Sequence, residues 1–188
     1  GLGGLEWMDG IPGNVGGSLR MNAGAMGRDM IRNLVSVTCL DEDGEIRSHP
    51  SSDLNAQYRS IPDLAHNFVL QAVFEGSPCA KEEIEEKLEN ARAKRRLSQP
   101  SGASAGCIFK NPEEIPAGKL IDELGLKNAC VGDACVSSVH ANFIINRGHA
   151  RARDITILID MIRKEAMENR GIDLKSEAQV IGDREPQF

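Results

Sequence analysis

Residues Leu34 to Leu40 (LVSVTCL) alternate apolar and polar side chains, the period of a half-buried strand. Asp43-Gly44 then signals a hairpin turn, and Glu45 to His49 reads as the returning strand. Phe68 to Phe74 (FVLQAVF) is almost wholly apolar and is expected to be a third, central strand. The period changes at Lys81 to Leu97, a predicted helix with a narrow apolar stripe of Ile84, Leu88 and Ala91. Glu82, Glu83, Glu85 and Glu86 crowd its start and Lys94, Arg95 and Arg96 its end, which suits the helix dipole. So thin a stripe marks a solvated connector between two lobes, ended by Ser98-Gln99-Pro100. Beyond it, Ala117 to Leu124 predicts a short helix stopped by Gly125, and Gly125 to Gly132 a loop. Val136 to Asn146 leads into a strand centred on Phe143 to Ile145. Ile155 to Asn169, with Asp154 as its N-cap, carries a clean stripe of Ile155, Leu158, Ile159, Ile162 and Ala166. Strands and helices are segregated, not arranged in repeated βαβ units, so the class is α+β.

The one stretch without such periodicity is Gly10 to Gly27, GIPGNVGGSLRMNAGAMG. Nine of the nineteen glycines lie in residues 1–27, and that density calls for a reason because glycine loses the most entropy on folding. Gly10-Ile11-Pro12-Gly13 reads as a turn, and Gly16-Gly17 leaves consecutive N–H groups unshielded, the pattern of an anion-binding concavity. A flexible linker fits less well, because Ile11, Val15, Leu19 and Met21 interrupt the small residues. The stretch is neither a Walker loop nor a spaced G-x-G-x-x-G, so the common nucleotide fingerprints fail.

Composition narrows the chemistry. The 188 residues are 40% hydrophobic and 27% charged, which suits one or two globular domains, and no apolar run approaches a membrane span. A net charge of −6 and a pI near 5.3 argue against nucleic acid or anionic membrane as a partner, so an anionic substrate must meet locally placed cations. Five cysteines, odd in number and irregularly spaced, favour reduced thiols in a cytoplasmic protein over a disulfide framework. Cys130 and Cys135 form a C-x4-C pair with no second pair or histidine cluster, so no metal site is expected.

Taken whole, GLEWMDGIPGNVGGSLRMNAGAMG resembles the second flavin-contacting segment of the UDP-N-acetylenolpyruvoylglucosamine reductases (the MurB family), whose run is GIPG-x-VGG-x-x-x-MNAGA-x-G. Four further stretches follow in the family's order. Gln57-Tyr58-Arg59-Ser60 resembles its YR[DS]S motif, and Ser104 to Pro112 its SAGS-x-FKNP motif. Val136 to Asn146 resembles VS-x-x-HANF-x-xN, and the stretch from Leu174 to Gly182 the closing L-x-x-E-[VA]-x-x-IG. The chain departs from the family at Cys107, where most members carry a serine. The resemblance implies an α+β protein: residues 1–97 the C-terminal half of a MurB-like FAD-binding domain plus its connector helix, 98–172 a small substrate-binding domain, and 173–188 a tail that returns Glu177 to the active site. It also implies that roughly the first third of the family's chain is absent from these residues.

The resemblance assigns FAD to the backbone of Gly10, Ile11, Pro12, Gly13, Asn14, Val15, Gly16, Gly17, Asn22, Ala23 and Gly24. It assigns Arg59, Cys107 and Glu177 to catalysis and Tyr58, Lys110, Asn111 and His140 to a UDP-sugar enolpyruvyl ether, with NADPH as reductant. The product would be UDP-N-acetylmuramate, a cell-wall precursor. Unaided, the residues are blander: Arg59 reads as a surface group, Glu177 as a solvated acid at a strand edge, His140 as structural, and Cys107 as a small hydrophobe. The chemistry still suits the assignment. A guanidinium can bridge a carboxylate in two parallel hydrogen bonds, and a thiol with a pKa near ~8.5 is mostly protonated at neutral pH. Two other readings stand beside a monomeric bacterial reductase. One is a fragment that binds flavin or substrate without turnover, for want of the absent segment. The other is a thiol nucleophile enzyme built on Cys107 and His140.

Overall fold

The computed structural model describes residues 1–181. The chain divides into two compact units, Gly1–Arg95 and a second beginning at Arg96.

The N-terminal unit runs β1 (Leu2–Gly3), α1 (Val15–Arg20), β2 (Gly24–Ala25), β3 (Arg28–Asp29), β4 (Leu34–Leu40), β5 (Ile46–Pro50), β6 (Phe68–Phe74), β7 (Ser77–Pro78) and α2 (Lys81–Ser98), the last crossing the boundary. β4 pairs antiparallel with β5 on one side and β6 on the other. The expectation that β6 is central is therefore wrong: β4 is, and β6 is an edge. Apolar composition misled because one face of β6 stays open, with Phe68 at 71% and Leu70 at 54% exposure. The alternation in β4 does what it predicts, burying Leu34, Val37 and Cys39. They pack with Trp7, Leu19, Ile61 and Leu64 in one core. Leu19 on α1 joins that core, and Gly16 faces β6, where a Cβ would make ordinary contact with Val69 at 3.4 Å. α2 is tied to the turn before α1 by Arg92, whose Nε donates to Asp9 at 2.8 Å and holds the Asp9 carboxyl below its ordinary pKa.

The C-terminal unit contains β8 (Ser104–Cys107), α3 (Ala117–Glu123), β9 (Cys130–Val131), β10 (Ala134–Val136), β11 (Phe143–Asn146) and α4 (Ala152–Arg170). Its sheet has the order β8-β11-β10-β9, antiparallel throughout. Leu120 and Ile121 of α3 and Leu158, Ile162 and Ala166 of α4 share a core with Ile108, Phe109 and Val136. α4 begins three residues earlier than its apolar stripe suggests. Arg151 is the N-cap residue and Asp154 sits at the third position, its carboxylate accepting the Arg151 N–H at 2.9 Å. An acid at that position reaches back to the N-cap N–H, as in a capping box. Gly171 closes the helix at φ 66°.

Two further corrections concern residues 125–135. The predicted loop contains β9, and Cys130 stands directly opposite Cys135 across the β9–β10 hairpin, with Cα atoms 4.1 Å apart and the sulfurs joined. The expectation of reduced thiols throughout thus fails for this pair. Sequence spacing does not reveal that a tight hairpin brings the two side chains face to face. Cys39, Cys79 and Cys107 take no part in a disulfide. Among the described residues no helix is long and apolar enough to cross a membrane, and no cluster of three or more His, Cys, Asp or Glu side chains is placed to hold a metal ion.

Candidate functional site

The glycine segment is a turn leading into a short helix. Asn14 is the extended N-cap of α1, and Ser18 is the first residue to bond back, its N–H donating to the Asn14 carbonyl at 3.0 Å. The N–H groups of Val15, Gly16 and Gly17 precede that bond and face out of the helix mouth. Gly13 takes φ 96°, a conformation L side chains rarely adopt, and a Cβ there or at Gly17 would meet nothing within 4 Å. Pro12 and Val15 are exposed, and Ile11 is half-buried against the core. Gly10 lies against the Arg95 side chain, 3.3 Å from where its Cβ would be. This part of the segment is bare backbone facing open space, which fits an anionic or flat ligand.

The second half of the segment is used differently. Asn22 is buried; its Oδ1 accepts the Ile31 N–H at 3.1 Å and its Nδ2 donates to the Gln57 carbonyl at 3.0 Å. Ala23 is buried in the core, its carbonyl accepting the Met30 N–H. Both therefore hold the fold with the groups shown here. Gln57 begins a tight turn closed by Ser60, with Tyr58 and Arg59 at its tip. The Arg59 backbone sits at φ 56°, in the left-handed region, and its guanidinium lies 5.0 Å from the Tyr58 ring centroid. Arg59 Nη2 donates to the Gly24 carbonyl at 3.4 Å, and a Cβ on Gly24 would come within 3.0 Å of Arg59 Nη1. The same Cβ would meet the Arg28 carbonyl oxygen at 2.6 Å, so Gly24 serves the β2–β3 pairing first and seats this arginine as well.

In the C-terminal unit a cavity of about 340 Å³ is bordered by Cys107, Asn111, Lys119, Lys127, His140 and Asn142, among others. Three residues singled out from sequence, Cys107, Asn111 and His140, share its wall. β8 carries Cys107 opposite Phe143 of β11. Asn111 follows the strand, and its Oδ1 accepts the Ala117 N–H at 3.0 Å, tying the cavity to the start of α3. His140 Nδ1 accepts the Asn142 N–H at 3.2 Å, so the neutral ring carries its proton on Nε2. Burial pushes the His140 pKa down, and the Lys127 charge adds to that. Lys127 also pairs with Asp122 at 2.7 Å.

Two predicted residues of this unit do not line the cavity. Lys110 leaves the strand with its N–H bonded to the Lys175 carbonyl, and Glu177 donates its N–H to the Ile108 carbonyl at 2.7 Å. Glu177 is thereby held beside the residue that follows Cys107. The thiol and imidazole that sequence could not place together do border one cavity. Sequence reasoning did not single out Lys119 and Lys127, since lysines on a polar helix and loop read as solvated. Asn142 was legible as part of the HANF stretch, but the resemblance assigned it no role in the site. A larger cavity, about 470 Å³, lies in the N-terminal unit among Gly3, Gly4, Arg28, Cys79, Glu83 and Lys87 and includes none of the predicted site residues.

Known proteins resemble this chain in sequence and fold. Residues 98–181 match the family model for the UDP-N-acetylenolpyruvoylglucosamine reductase C-terminal domain. A UDP-N-acetylenolpyruvoylglucosamine reductase of Syntrophus aciditrophicus is 40% identical over 97% of the chain and 59% of its own length. One from Bacillus licheniformis is 39% identical over 96% of the chain and 100% of its own length. The crystal structure of the Thermus caldophilus enzyme (MurB) superposes with a TM-score of 0.84 at 37% identity, covering 95% of this chain and 64% of that one. The chain spans about three fifths of the length of the first of these relatives. The α+β architecture expected from sequence is the one this structural neighbour shares.

Proposed function

This chain belongs to the UDP-N-acetylenolpyruvoylglucosamine reductase family, and on that premise we propose that it reduces UDP-N-acetylglucosamine enolpyruvate to UDP-N-acetylmuramate for peptidoglycan synthesis. The observation that carries the reading is the cavity that gathers Cys107, Asn111 and His140 beside two lysines. Lys119 and Lys127 supply the local cations that an anionic substrate needs in a chain of net charge −6. Asn111 and His140 present polar groups for orientation, and the resemblance adds Tyr58 and Lys110 as substrate-binding residues.

FAD, when bound, supplies the hydride, drawn from NADPH, that the vinyl carbon receives. The bare backbone from Gly10 to Gly17 would hold it, since glycine leaves open space at Gly13 and Gly17. Arg59 neutralises the negative charge that grows on the adjacent carbon and its carboxylate; loss of one such preorganised donor costs about 10²–10³ in turnover. Cys107 delivers its S–H proton to that carbon, and the thiolate regains a proton from solvent. Glu177, held next to the Cys107 strand, orients the acid group. The reductase works as a cytoplasmic monomer and engages neither nucleic acid nor membrane.

The test is NADPH consumption with the enolpyruvyl substrate and added FAD. The parent turns over, Cys107→Ser keeps part of the activity with a changed pH profile, and Cys107→Ala loses it. An alanine variant as active as the parent removes the thiol from the chemistry. A second reading, ligand binding without turnover, draws on the chain's spanning 59% of one relative; bound flavin with no NADPH consumed would select it.

A further inference from the structure

Every polar group of Asn142 is spent on the residues that carry the cavity. Its N–H donates to His140 Nδ1 at 3.2 Å, and its carbonyl accepts the Ile108 N–H at 2.9 Å. Its side chain then grips Phe109 twice: Oδ1 accepts the Phe109 N–H at 2.9 Å and Nδ2 donates to the Phe109 carbonyl at 2.8 Å. The residue is only 2% exposed, and Ile108 and Phe109 are each 1% exposed. On the other edge of the same two residues, the Ile108 carbonyl accepts the Glu177 N–H, and Phe109 bridges Ser176. Cys107 precedes this pair and Lys110-Asn111 follows it.

We infer that Asn142 is a positioning residue for the reduction: through Ile108-Phe109 it fixes where Cys107 and Glu177 stand, and through its own N–H it fixes the His140 ring. A purely apolar strand pair would leave Ile108-Phe109 free to slip or twist, because hydrophobic burial has no direction. A buried amide with both ends satisfied does not allow that, since any shift strands a polar group away from water. Displacement of a reacting group by about 1 Å can cost ~10²-fold in rate. The inference rests on the reaction proposed above, but one arm of its test does not.

Flavin-loaded protein is followed by stopped flow through two half-reactions, flavin reduction by NADPH and reoxidation by UDP-N-acetylglucosamine enolpyruvate. Asn142→Ala is expected to leave the first within about twofold and slow the second, at saturating substrate, by about 10²-fold. Asn142→Asp keeps the acceptor for Phe109 and falls between alanine and parent. Independently, iodoacetamide labelling of Cys107, resolved by peptide mass spectrometry, accelerates about tenfold in the alanine variant because the strand end opens more often. A folded alanine variant that matches the parent in both reoxidation and labelling overturns the proposal, as does equal slowing of both half-reactions. If Asn142→Ala does not fold, parent-like reoxidation and labelling in Asn142→Asp overturn it instead. If the parent does not reoxidise with this substrate, the proposed function fails, and labelling alone decides the role of Asn142.

Discussion

Arg59 stands in a backbone conformation that costs a non-glycine residue about 1–2 kcal/mol, at the tip of a turn where glycine or asparagine would sit without strain. Strain of this kind persists where the side chain is needed. Arg59→Gly is therefore expected to unfold at the same temperature as the parent or higher, while losing substrate reduction; a clear fall in melting temperature would show that the arginine serves the fold. His140 gives a pH prediction. Its folded pKa lies below the ordinary value near ~6.5, so below that pH the unfolded chain binds the proton first. Stability contributed by the neutral ring is present above that value and is lost as the solution is acidified. Melts between about pH 5 and 7.5 should show a steeper acid loss for the parent than for His140→Gln. The motif residues were legible by resemblance alone. A strained φ, a seat on Gly24 and a doubly bonded Asn142 are products of tertiary contact, which no spacing along the chain encodes.

Among elements, β4 was read at its true bounds because one face of it is buried and the other wet. β6 was bounded as well but misplaced in the sheet, because apolar content marks burial only when something covers both faces. The start of α4 escaped because its first turn, Ala152 to Asp154, lies ahead of the apolar stripe. The β9–β10 hairpin escaped for a different reason: two-residue strands are too short to show a period. The disulfide across it closes a loop of sequence separation 5, for which chain entropy gives about 2 kcal/mol. Cys130→Ser is exposed and should destabilise the C-terminal unit by roughly that amount in denaturant titration. No change in midpoint would show that the bond constrains nothing.

Among the described residues of the whole molecule there are two cores with no residue in common. The thin apolar stripe of the helix at Lys81 is the feature from which sequence expects a connector between two lobes. Two cores need not melt together. Leu158→Ala empties a fully buried site on α4 and is expected to cost 2–5 kcal/mol, by the usual range of about that size for such truncations. Differential scanning calorimetry should then show the transition of the C-terminal unit moving down while that of the N-terminal unit holds. A single transition that moves as a whole would show that the units unfold as one. What the chain did not disclose at this scale is where Lys119 and Lys127 converge, since that depends on how α3 and the following loop fold over the sheet.

The hairpin bond has a consequence at the bench. Dithiothreitol or a phosphine, added out of habit to keep Cys107 fit to give up its hydrogen, also cuts the tie between Cys130 and Cys135 across the β9–β10 hairpin. Preparations made with and without reductant are then two different proteins. Work under nitrogen, with no reductant at all, is the handling that keeps both sulfur states intact.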